Sequence, residues 1–589
     1  MNKLKDISNK VFLTSNPYKI LLVLLLLFIA GYLRLSHPEA CYFNEFAERD
    51  WYRTYEILHG EKFHLSGSEL SQGGRLPNPY LYWLQLIPMI ISSDPYSLFY
   101  FIGILNLIAL YFCYRFGAKF FGYTAGVISL GLFTAFPLST MCLRYLWNPT
   151  LMFPFIIIPI YCLVSSLQQP KLRYLIITAI SIPIAISCHI SGVYLIILSI
   201  LFLLIFKPKF SKRDYAIALI VFFCMFLPFI IGEIINGFDN TKYMVKSQDT
   251  IKMAGKEFEN RVKSRFVINT SAVHGFLFNV YPRMTDEYPY FGAFSYYTLF
   301  VKQAPQYFSP KVMEIINSFI SFAPLHLILY IAANIFAFRK LFLIYRKKDE
   351  KNRIIKGTLF ILLFLPAIVL LAQSLMVFSR SDKMVGSGVH YFFIITPIQF
   401  LIIGYFISEI LKSLRKVNKG RIIRNFVILI TIIWIIYQAL IVFLELHWSK
   451  RSGYIFQFID TPVANLGVVK GIADTLVEKE GVWQYTYLKN VQILDYVVNY
   501  NWGTESGLDF VVNRHPKIKN NVPRGISNNL KPFGKFIYIV DKNMSHPKYK
   551  NYKINKTYDI GPMQIWVSYE GTPVPHQKLH ENLNPFIHF

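Results

Sequence analysis

The sequence predicts a mainly α-helical, polytopic membrane protein of about eleven transmembrane helices, followed by a C-terminal mixed α/β domain outside the membrane. Three observations predict this class. Of the 589 residues, 54% are hydrophobic and only 16% are charged, with a mean hydropathy of +0.37, unlike the balance of a soluble domain. Apolar runs of bilayer-spanning length recur along the first 445 residues. Basic residues concentrate in alternate loops between those runs.

Eleven apolar runs are candidates for membrane-spanning helices, which need about 17 to 25 residues. They lie near residues 20–35, 96–114, 123–142, 150–167, 173–188, 190–206, 215–235, 313–337, 357–378, 389–410 and 425–444. A further apolar piece, from Tyr80 to Ser92, lies between Pro79 and Pro95 and is too short to cross. We expect it to form a helix at the membrane interface. Residues 1–445 are therefore expected to form a transmembrane domain.

Much of the positive charge lies in the predicted inner loops. Lys and Arg number 61 against 34 Asp and Glu, a net charge of +27. Besides Lys3, Lys5, Lys10 and Lys19 near the N-terminus, the predicted inner loops contain Arg115, Lys119, Lys171, Arg173, Lys207, Lys209, Lys212, Arg213, Arg339, Lys340, Arg346, Lys347, Lys348, Lys351, Arg353, Lys356, Lys412, Arg415, Lys416, Lys419, Arg421 and Arg424. The short outer turns contain only Arg144, Arg380 and Lys383. The charge is thus a topology signal and does not indicate a nucleic-acid partner.

This charge pattern predicts a multi-pass protein of the cytoplasmic (inner) membrane with a cytoplasmic N-terminus. An odd number of spans places the C-terminus outside. The first apolar run lacks a small-residue cleavage site, so we expect a retained helix. The six cysteines show no CxxC or Cys/His spacing and lie mostly in apolar runs, which favours small core residues over a disulfide framework or a zinc site.

Three long segments are expected on the outer face, namely residues 36–95, 236–312 and 446–589. The last of these is expected to be a separate mixed α/β domain. Its sequence combines a helical pattern from Val463 to Lys479 with strand-like runs at Phe536 to Val540 and Met563 to Tyr569. Functional residues are expected in these outer segments.

Acidic residues cluster just after the first apolar run, at Glu45, Glu48 and Asp50. Glu45 and Glu48 are three residues apart, so a helix would present both carboxylates on one face, where like-charge repulsion raises one pKa toward that of a general base. A solvated interfacial helix is the alternative interpretation. The predicted spans contain almost no ionisable residues, which disfavours an ion-coupled transporter.

Four motifs at the outer membrane boundary resemble a known enzyme family. The first is the acidic segment with the later runs SGSELSQGG at 66–74 and PNPYLYWL at 77–84. The others are RYLWNP at 144–149, CHISG at 188–192 and GVHYF at 388–392. Together they resemble the bacterial family 39-like glycosyltransferases of the GT-C fold class, which include protein O-mannosyltransferases and the lipid A aminoarabinose transferase. The resemblance covers roughly residues 20–445.

This resemblance implies transfer of a sugar from a polyprenyl-phosphate donor to a hydroxyl of a lipid, glycan or protein acceptor outside the cytoplasmic membrane, with inversion at the anomeric carbon. A carboxylate deprotonates the acceptor hydroxyl, and cations or hydrogen-bond donors receive the departing phosphate. The family's acid usually opens the first-loop motif as an Asp-Glu pair. Here the pair is Asn44-Glu45, so Glu45, Glu48 and Asp50 all remain candidates for the base. Asp50 is a candidate because Arg49-Asp50 matches the family's later Arg-Asp pair.

The remaining candidates are expected to bind the donor phosphate or the substrate. They are Arg144, Asn148, His189, Arg380, Lys383, His390 and Tyr391. No cofactor is indicated; a divalent metal is compatible with the chemistry, but the outer segments lack an Asp-rich diphosphate motif. Membrane lipids are the other expected partners.

Each of these residues also has a purely structural explanation. Asn148 followed by Pro149 is a typical N-cap and first-turn pair, and Arg144 is long enough to snorkel to lipid head groups. His189 would satisfy backbone groups in a tight turn, and His390 and Tyr391 suit an aromatic belt. Arg380 and Lys383 are compatible with a plain surface turn.

Two other classes of function remain open at this stage. A polytopic lipid or polysaccharide carrier would need polar residues at the bilayer midplane rather than an outer catalytic loop. A GT-C-shaped scaffold that has lost its catalytic carboxylate would retain the topology alone.

Overall fold

The computed structural model establishes a mainly helical chain. It describes residues 11–43, 45–70, 74–243, 276, 307–322, 324–346, 352–375, 389–417, 420–456, 462–479, 491–493, 511, 536–541 and 554–568. Contacts divide the chain into two compact units. The first comprises Met1–Pro38, Arg49–Trp448 and Phe458–Asp460, and the second comprises Glu39–Glu48, Ser449–Gln457 and Thr461–Phe589.

Apart from the charged helix at Glu45–Leu58, the described helices before residue 453 follow the apolar runs. They are α1 (Pro17–Leu35), α2 (Glu45–Leu58), α3 (Tyr80–Ile91), α4 (Pro95–Phe120), α5 (Tyr123–Ala135), α6 (Pro137–Cys142), α7 (Phe153–Gln168), α8 (Leu172–Cys188), α9 (Val193–Phe206), α10 (Lys212–Cys224), α11 (Leu227–Ile235), α12 (Pro310–Phe322), α13 (Pro324–Arg346), α14 (Arg353–Leu375), α15 (Thr396–Leu414) and α16 (Gly420–Ser452). Short 3-10 helices lie at Asn148–Leu151, Ile190–Gly192 and Val389–Ile395.

Within these described residues, seven helices are long and apolar enough to cross a membrane, or eight if α10 and α11, bent by 41°, form one broken span. Shorter apolar helices occupy the predicted runs at 123–142, 173–188 and 190–206. Every predicted run thus contains an apolar helix, and the predicted class of a mainly α-helical, multi-pass membrane protein is confirmed. The interfacial segment is likewise a helix, α3.

Local sequence explains where several helices begin. Asn16 caps α1, with its side-chain oxygen accepting from the amides of Tyr18 and Lys19, and Pro17 occupies the first turn. Asp94 and Pro95 begin α4 in the same way, the Asp94 carboxylate accepting from the Tyr96 amide at 2.9 Å. These caps satisfy backbone donors that would otherwise lack partners at a helix start.

Glycines allow close helix packing in the membrane unit. A Cβ at Gly117 on α4 would lie 2.7 Å from the Cα of Gly126 on α5, and a Cβ at Gly404 on α15 would lie 2.7 Å from the carbonyl oxygen of Ala125. Contacts this short permit only a hydrogen at each position. Small residues therefore bring α4, α5 and α15 together, as is common where lipid removes the hydrophobic drive for helix association.

The predicted span at 313–337 is wrong in its bounds. The apolar run is divided between α12, which ends at Phe322, and α13, which begins at Pro324. Hydropathy does not detect the division, but proline favours the first turn of a helix and disfavours its interior. The crossing candidate is α13, so Arg339 and Arg346, which were expected in a loop, lie on this helix.

Besides the first residues of α2 and the last residues of α16, the second unit contains two sheets and one complete α-helix among its described residues. Strands β1 (Tyr454–Phe456) and β2 (Pro462–Ala464) pair antiparallel. The four-stranded sheet has the order β3-β4-β6-β5, where these are Val491–Ile493, Phe536–Asp541, Met563–Ser568 and Lys556–Ile560 respectively. Its β3-β4 pair is parallel, and the other two pairs are antiparallel. The expected C-terminal mixture of helix and sheet is confirmed.

The helix expected from Val463 begins later than predicted. Residues Pro462–Ala464 form β2, and the helix α17 spans Leu466–Asp474, followed by a π-helical turn at Thr475–Lys479. Asn465 determines the start, because its side-chain oxygen accepts from the Val468 amide at 3.1 Å.

The second unit also contains the segment that leads into α2. The amides of Leu466 and Gly467, at the start of α17, donate to the carbonyl oxygens of Cys41 and Glu39 at 2.9 and 3.1 Å. Free amides at a helix start are natural donors. These bonds fix residues 39–41, and the chain then runs directly into the helix that carries the candidate carboxylates.

Candidate functional site

Helix α2 carries all three predicted acids. Glu45 is its first residue, and its side chain lies outside the described residues. Glu48 is buried within the second unit, and Asp50 is buried within the first. The helix ends at Leu58, and Gly60 follows with a φ of +69°, a left-handed conformation that glycine adopts without a steric cost.

Asp50 is fully buried, with 0% of its surface exposed. Its Oδ1 accepts from Arg49 Nε at 3.0 Å, and its Oδ2 accepts from Ser68 Oγ at 2.7 Å. Burial alone would lower the pKa of Arg49, but the Asp50 carboxylate raises that pKa above its ordinary value. Groups on both of its oxygens therefore hold the carboxylate in one orientation.

A second carboxylate lies between two guanidinium groups. Glu69 Oε1 accepts from Arg53, which is largely buried, and from Arg75 at 3.1 Å. Arg53 also donates to the Tyr82 hydroxyl at 3.1 Å. Burial alone would raise the pKa of Glu69, but Arg53, with smaller effects from Arg49 and Arg75, holds it below its ordinary value.

This network has a closed end and an open end. The Asp50 side chain is 1% exposed, whereas those of Glu69 and Arg75 are 32% and 37% exposed. Among the described residues, the guanidinium groups of Arg49, Arg53 and Arg75 contact the carboxylates of Asp50 and Glu69. Arg75 is a partly exposed cation at the open end, where an anion would be favoured.

A tight loop holds Ser68 and Glu69 against α2. The amide of Gly67 donates to the Leu76 carbonyl at 2.7 Å, and the Leu76 amide returns a bond to the Ser68 carbonyl at 2.8 Å. A Cβ at Gly67 would lie 2.8 Å from the Asn78 carbonyl oxygen. Only glycine permits this approach, which brings Ser68 to Asp50.

Helix α3 forms the other wall of the network. Tyr82 contacts Arg53, and Gln85 lies within 2.9 Å of the Thr54 hydroxyl on α2. The Trp51 indole donates to the Ser93 carbonyl at 2.9 Å, just after α3. Side chains of α2 are thus bonded to residues of α3 and of the segment just after it.

Arg144 is buried, and its side chain donates hydrogen bonds to backbone carbonyl groups. Its guanidinium donates to the carbonyl oxygens of Leu33, Ser36 and His37 at 3.0, 2.7 and 2.9 Å. These are acceptors at the C-terminal end of α1, which lack helical partners. The guanidinium also lies 5.2 Å from the centre of the Phe99 ring. These contacts support a structural role for Arg144, and its predicted role toward phosphate stays a prediction.

Asn148 is not the N-cap that the sequence pattern suggested as its structural role. It begins a 3-10 turn whose cap position is Trp147, and α7 begins five residues later. The Asn148 Nδ2 donates to the Cys188 carbonyl at 2.7 Å, while its buried Oδ1 has no hydrogen-bond partner within the described part of the chain. The amide therefore joins two of the predicted motifs.

An aromatic cluster forms around the same point. The His390 ring lies 4.7 Å from Trp147, 5.0 Å from His189 and 4.6 Å from Tyr391, measured between ring centres. His189 Nδ1 lies 2.8 Å from Ser191 Oγ and accepts from the Ser191 amide at 3.3 Å. Three of the predicted motifs, from distant parts of the chain, thus meet in the membrane unit.

The cluster and the carboxylate network flank the start of α3. Ser187 Oγ donates to the Asn78 carbonyl and accepts from the Leu81 amide, both at 2.9 Å. Ser187 is the residue before Cys188, whose carbonyl accepts the bond from Asn148. Arg380 and Lys383 lie outside the described residues, so their assignment stays a prediction.

Sequence reasoning missed Ser68, Glu69 and Arg75 as members of the site. All three lie in or next to the glycine-rich run at 66–74, which was singled out only as a motif. Glycines on both sides of alternating polar residues signal a tight loop that presents those side chains, and this signal was available. Tyr82 and Gln85 were interpreted as part of an interfacial helix.

The His64 and Glu56 pair predicts a pH dependence of stability. His64 Nε2 lies 2.7 Å from Glu56 Oε2, and burial lowers the pKa of His64 although Glu56 opposes the shift. The pKa of His64 is thus lower in the folded state than in the unfolded state. The contribution of His64 to folding stability is therefore fully present at pH values above its unfolded-state pKa. It is lost as the pH falls through the folded-state pKa. We expect the thermal midpoint of the wild type to fall more than that of His64→Gln between pH 7.5 and 5. Equal slopes would exclude His64 as a source.

Comparison with known proteins supports the family resemblance. The model of the dolichyl-phosphate-mannose-protein mannosyltransferase family matches residues 77–231, a range that contains Arg144, Asn148 and His189. The expected resemblance to GT-C mannosyl- and aminoarabinose-transferases is thus confirmed. The matched range begins after Asp50 and Glu69. No protein of curated function matches this chain in sequence.

Solved structures give fold likenesses only. The oligosaccharyltransferase of Archaeoglobus fulgidus in the apo form is 13% identical, with a TM-score of 0.47 over 84% of this chain and 64% of that one. This chain therefore spans somewhat less than two thirds of that protein. ArnT from Cupriavidus metallidurans in the apo state is 9% identical, with a TM-score of 0.47 over 93% and 97% of the two chains. Likenesses at this level do not extend to residue roles.

Proposed function

We propose that this protein transfers a sugar from a polyprenyl-phosphate donor to a hydroxyl of a lipid, glycan or protein acceptor, on the outer face of the cytoplasmic membrane and with inversion. The match to a family described by dolichyl-phosphate-mannose and protein mannosylation supports both the donor class and the reaction. The charge asymmetry of the loops supports an outer location for residues 36–95 and for the C-terminal unit.

One observation carries the proposal, namely the buried Asp50 carboxylate in a network that opens to solvent at Arg75. Glycosyl transfer from a lipid phosphate needs a base for the acceptor hydroxyl, because the phosphate leaves without much protonation. It also needs cations where negative charge develops on the departing phosphate. The network combines both kinds of group within the segment from α2 to α3.

The reaction follows from these roles. The acceptor oxygen attacks the anomeric carbon, its proton passes to a carboxylate of α2, Asp50 or Glu45, and the bond between the anomeric carbon and the phosphate oxygen breaks with its electrons on the phosphate. Arg49 and Ser68 keep the Asp50 carboxylate oriented through its two oxygens. Arg75 faces the phosphate at the open end, and Arg53 keeps Glu69 beside it.

The aromatic cluster suits the sugar itself. Rings of Trp147, His390 and Tyr391 offer flat apolar surfaces against which the C–H face of a sugar packs. The unpartnered Oδ1 of Asn148 is an acceptor for a sugar hydroxyl, and pairing it would remove a desolvation cost. Arg380 and Lys383 are proposed as further contacts to the lipid phosphate.

Radiolabelled transfer in membranes tests the function. Membranes containing the wild type should transfer label from a polyprenyl-phosphate sugar to a glycan, lipid or protein fraction, whereas a Glu45→Gln/Asp50→Asn double variant, expressed equally, should not. A carrier would instead move the lipid without cleaving it and would be indifferent to the double substitution. Label retained wholly in polyprenyl phosphate by the wild type would contradict the proposal.

A further inference from the structure

Three basic side chains converge where α4, α7 and α8 end or begin. Arg115 and Lys119 lie one turn apart on α4, and Arg173 is the second residue of α8. The Lys119 ammonium lies 4.8 Å from the centre of the Tyr161 ring on α7, and the Arg115 guanidinium lies 5.9 Å from the same ring. Two cations therefore share one aromatic ring.

These cations have neutral partners. Arg115 donates to the Tyr111 hydroxyl at 3.3 Å, and its buried Nε has no hydrogen-bond partner among the residues that the structure describes. Lys119 donates to Ser165 Oγ at 2.7 Å. In the part of the chain that the structure describes, no carboxylate forms an ion pair with Arg115, Lys119 or Arg173. Like charges one helical turn apart repel each other, and Arg173 adds to the repulsion on Lys119.

The start of α8 adds further positive potential. Its cap residue, Lys171, makes no side-chain capping bond, and its first turn contains no acidic residue. The free amides of a helix start attract anions. The positive-inside rule explains why basic residues occupy this side of the membrane. It does not explain why the side chains of Arg115 and Lys119 both lie over the Tyr161 ring instead of extending into water.

The chain itself indicates which side this is. The Tyr111 hydroxyl donates to the Val11 carbonyl at 3.0 Å, and Tyr114 donates to Phe12. The cluster thus lies at the same membrane surface as the segment that precedes α1, at the depth where α4 leaves the apolar region. Phospholipid phosphates occupy this depth, and tyrosine rings are common there.

We propose that Arg115, Lys119 and Arg173, with the start of α8, bind the phosphate of an anionic phospholipid in the leaflet that faces the N-terminal segment. The phosphate oxygens pair with the guanidinium and ammonium groups and accept from the first amides of α8. The acyl chains lie along the apolar surface of the membrane helices. This site is separate from the carboxylate network and does not depend on the transferase proposal.

Retention of phosphatidylglycerol by the purified full-length protein in detergent, followed by native mass spectrometry, tests the site. The wild type should retain phosphatidylglycerol in preference to phosphatidylcholine. The Arg115→Gln/Lys119→Gln variant should lose about 25-fold in apparent affinity, and Arg173→Gln, whose side chain is exposed, about 5-fold, in line with the typical effect of a basic residue near an anionic surface.

A matched control has the same change in charge. Lys212→Gln/Arg213→Gln removes two exposed basic residues at the start of α10, which the loop charges assign to the same membrane surface. This variant should retain the lipid as the wild type does. An equal loss in cluster and control variants, equal retention of both lipids by the wild type, or displacement of the lipid by millimolar inorganic phosphate would overturn the proposal. Because Arg173→Gln does not alter the buried packing, its result decides the question even if the double variant fails to fold.

Discussion

Replacing Asp50 by asparagine is expected to reduce sugar transfer by about 10²- to 10⁴-fold, the usual cost of removing a positioned general base. Asparagine still accepts from Ser68 but takes no proton from the acceptor. Donor affinity should change little, because Asp50 lies at the closed end of the network, away from Arg75. Initial rates at saturating donor and acceptor, with donor affinity measured separately, check this result.

The substitution also removes the Asp50 carboxylate from the buried Arg49 guanidinium, and breaking a buried ion pair typically costs about 3–5 kcal/mol. A second variant separates this effect from the chemistry. Arg49→Gln/Asp50→Asn removes both charges and should recover thermal stability toward that of the wild type. If Asp50 is the base, transfer stays low in the double variant; recovery of transfer would mean that Asp50 only neutralises Arg49.

The two other predicted acids provide the comparison. In the family pattern, the acid that opens the first-loop motif corresponds to Glu45. If Glu45 is the base, Glu45→Gln should reduce transfer as strongly as is expected for Asp50→Asn. Glu48→Gln is expected to have the smallest effect on chemistry of the three. Full activity in all three single variants would place the base elsewhere.

Replacing Arg75 by glutamine is expected to weaken donor binding by about 10-fold or more, because a charge-assisted contact to phosphate typically contributes about 1.5–3 kcal/mol. The turnover number at saturating donor should fall less than the affinity. Thermal stability should be nearly unchanged, since the Arg75 side chain is 37% exposed and Glu69 keeps its contact with Arg53.

Arg53 is the matched control, since it contacts the same carboxylate from the buried side. Arg53→Gln removes the bonds to Glu69 and Tyr82 and should lower the thermal midpoint markedly. Donor binding by the folded fraction should then fall less than in Arg75→Gln. Equal donor affinity in Arg75→Gln and the wild type would show that Arg75 and Glu69 form only a surface ion pair.

The sequence predicted those features that depend on local pattern. Apolar length and loop charge identified the membrane helices, and Glu45 to Asp50 were expected on a helix, as α2 is. Hydropathy failed at 313–337, because the division at Pro324 does not change the average over the run. It also missed the start of α17, which the Asn465 cap determines.

The network itself depends on contacts between distant residues. Ser68 reaches Asp50 across 18 positions, and Arg144 reaches Ser36 across 108. Residue type and spacing do not encode such pairings, so the bonds from Arg144 to the end of α1 could not be predicted, and its expected role toward phosphate stays a prediction. The glycines around Ser68 and Glu69 were the sequence signal for the loop, and their steric role becomes clear only from the approach to Asn78.

The central claim is that this chain transfers sugar from a polyprenyl phosphate by a single displacement. The most direct measurement uses the purified protein, a synthetic polyprenyl-phosphate sugar of defined anomeric configuration and an extract of candidate acceptors, with the product configuration determined by NMR. We expect release of polyprenyl phosphate and a product of inverted configuration, with both lost in Asp50→Asn. A product of retained configuration, or an active Asp50→Asn enzyme, would contradict the claim.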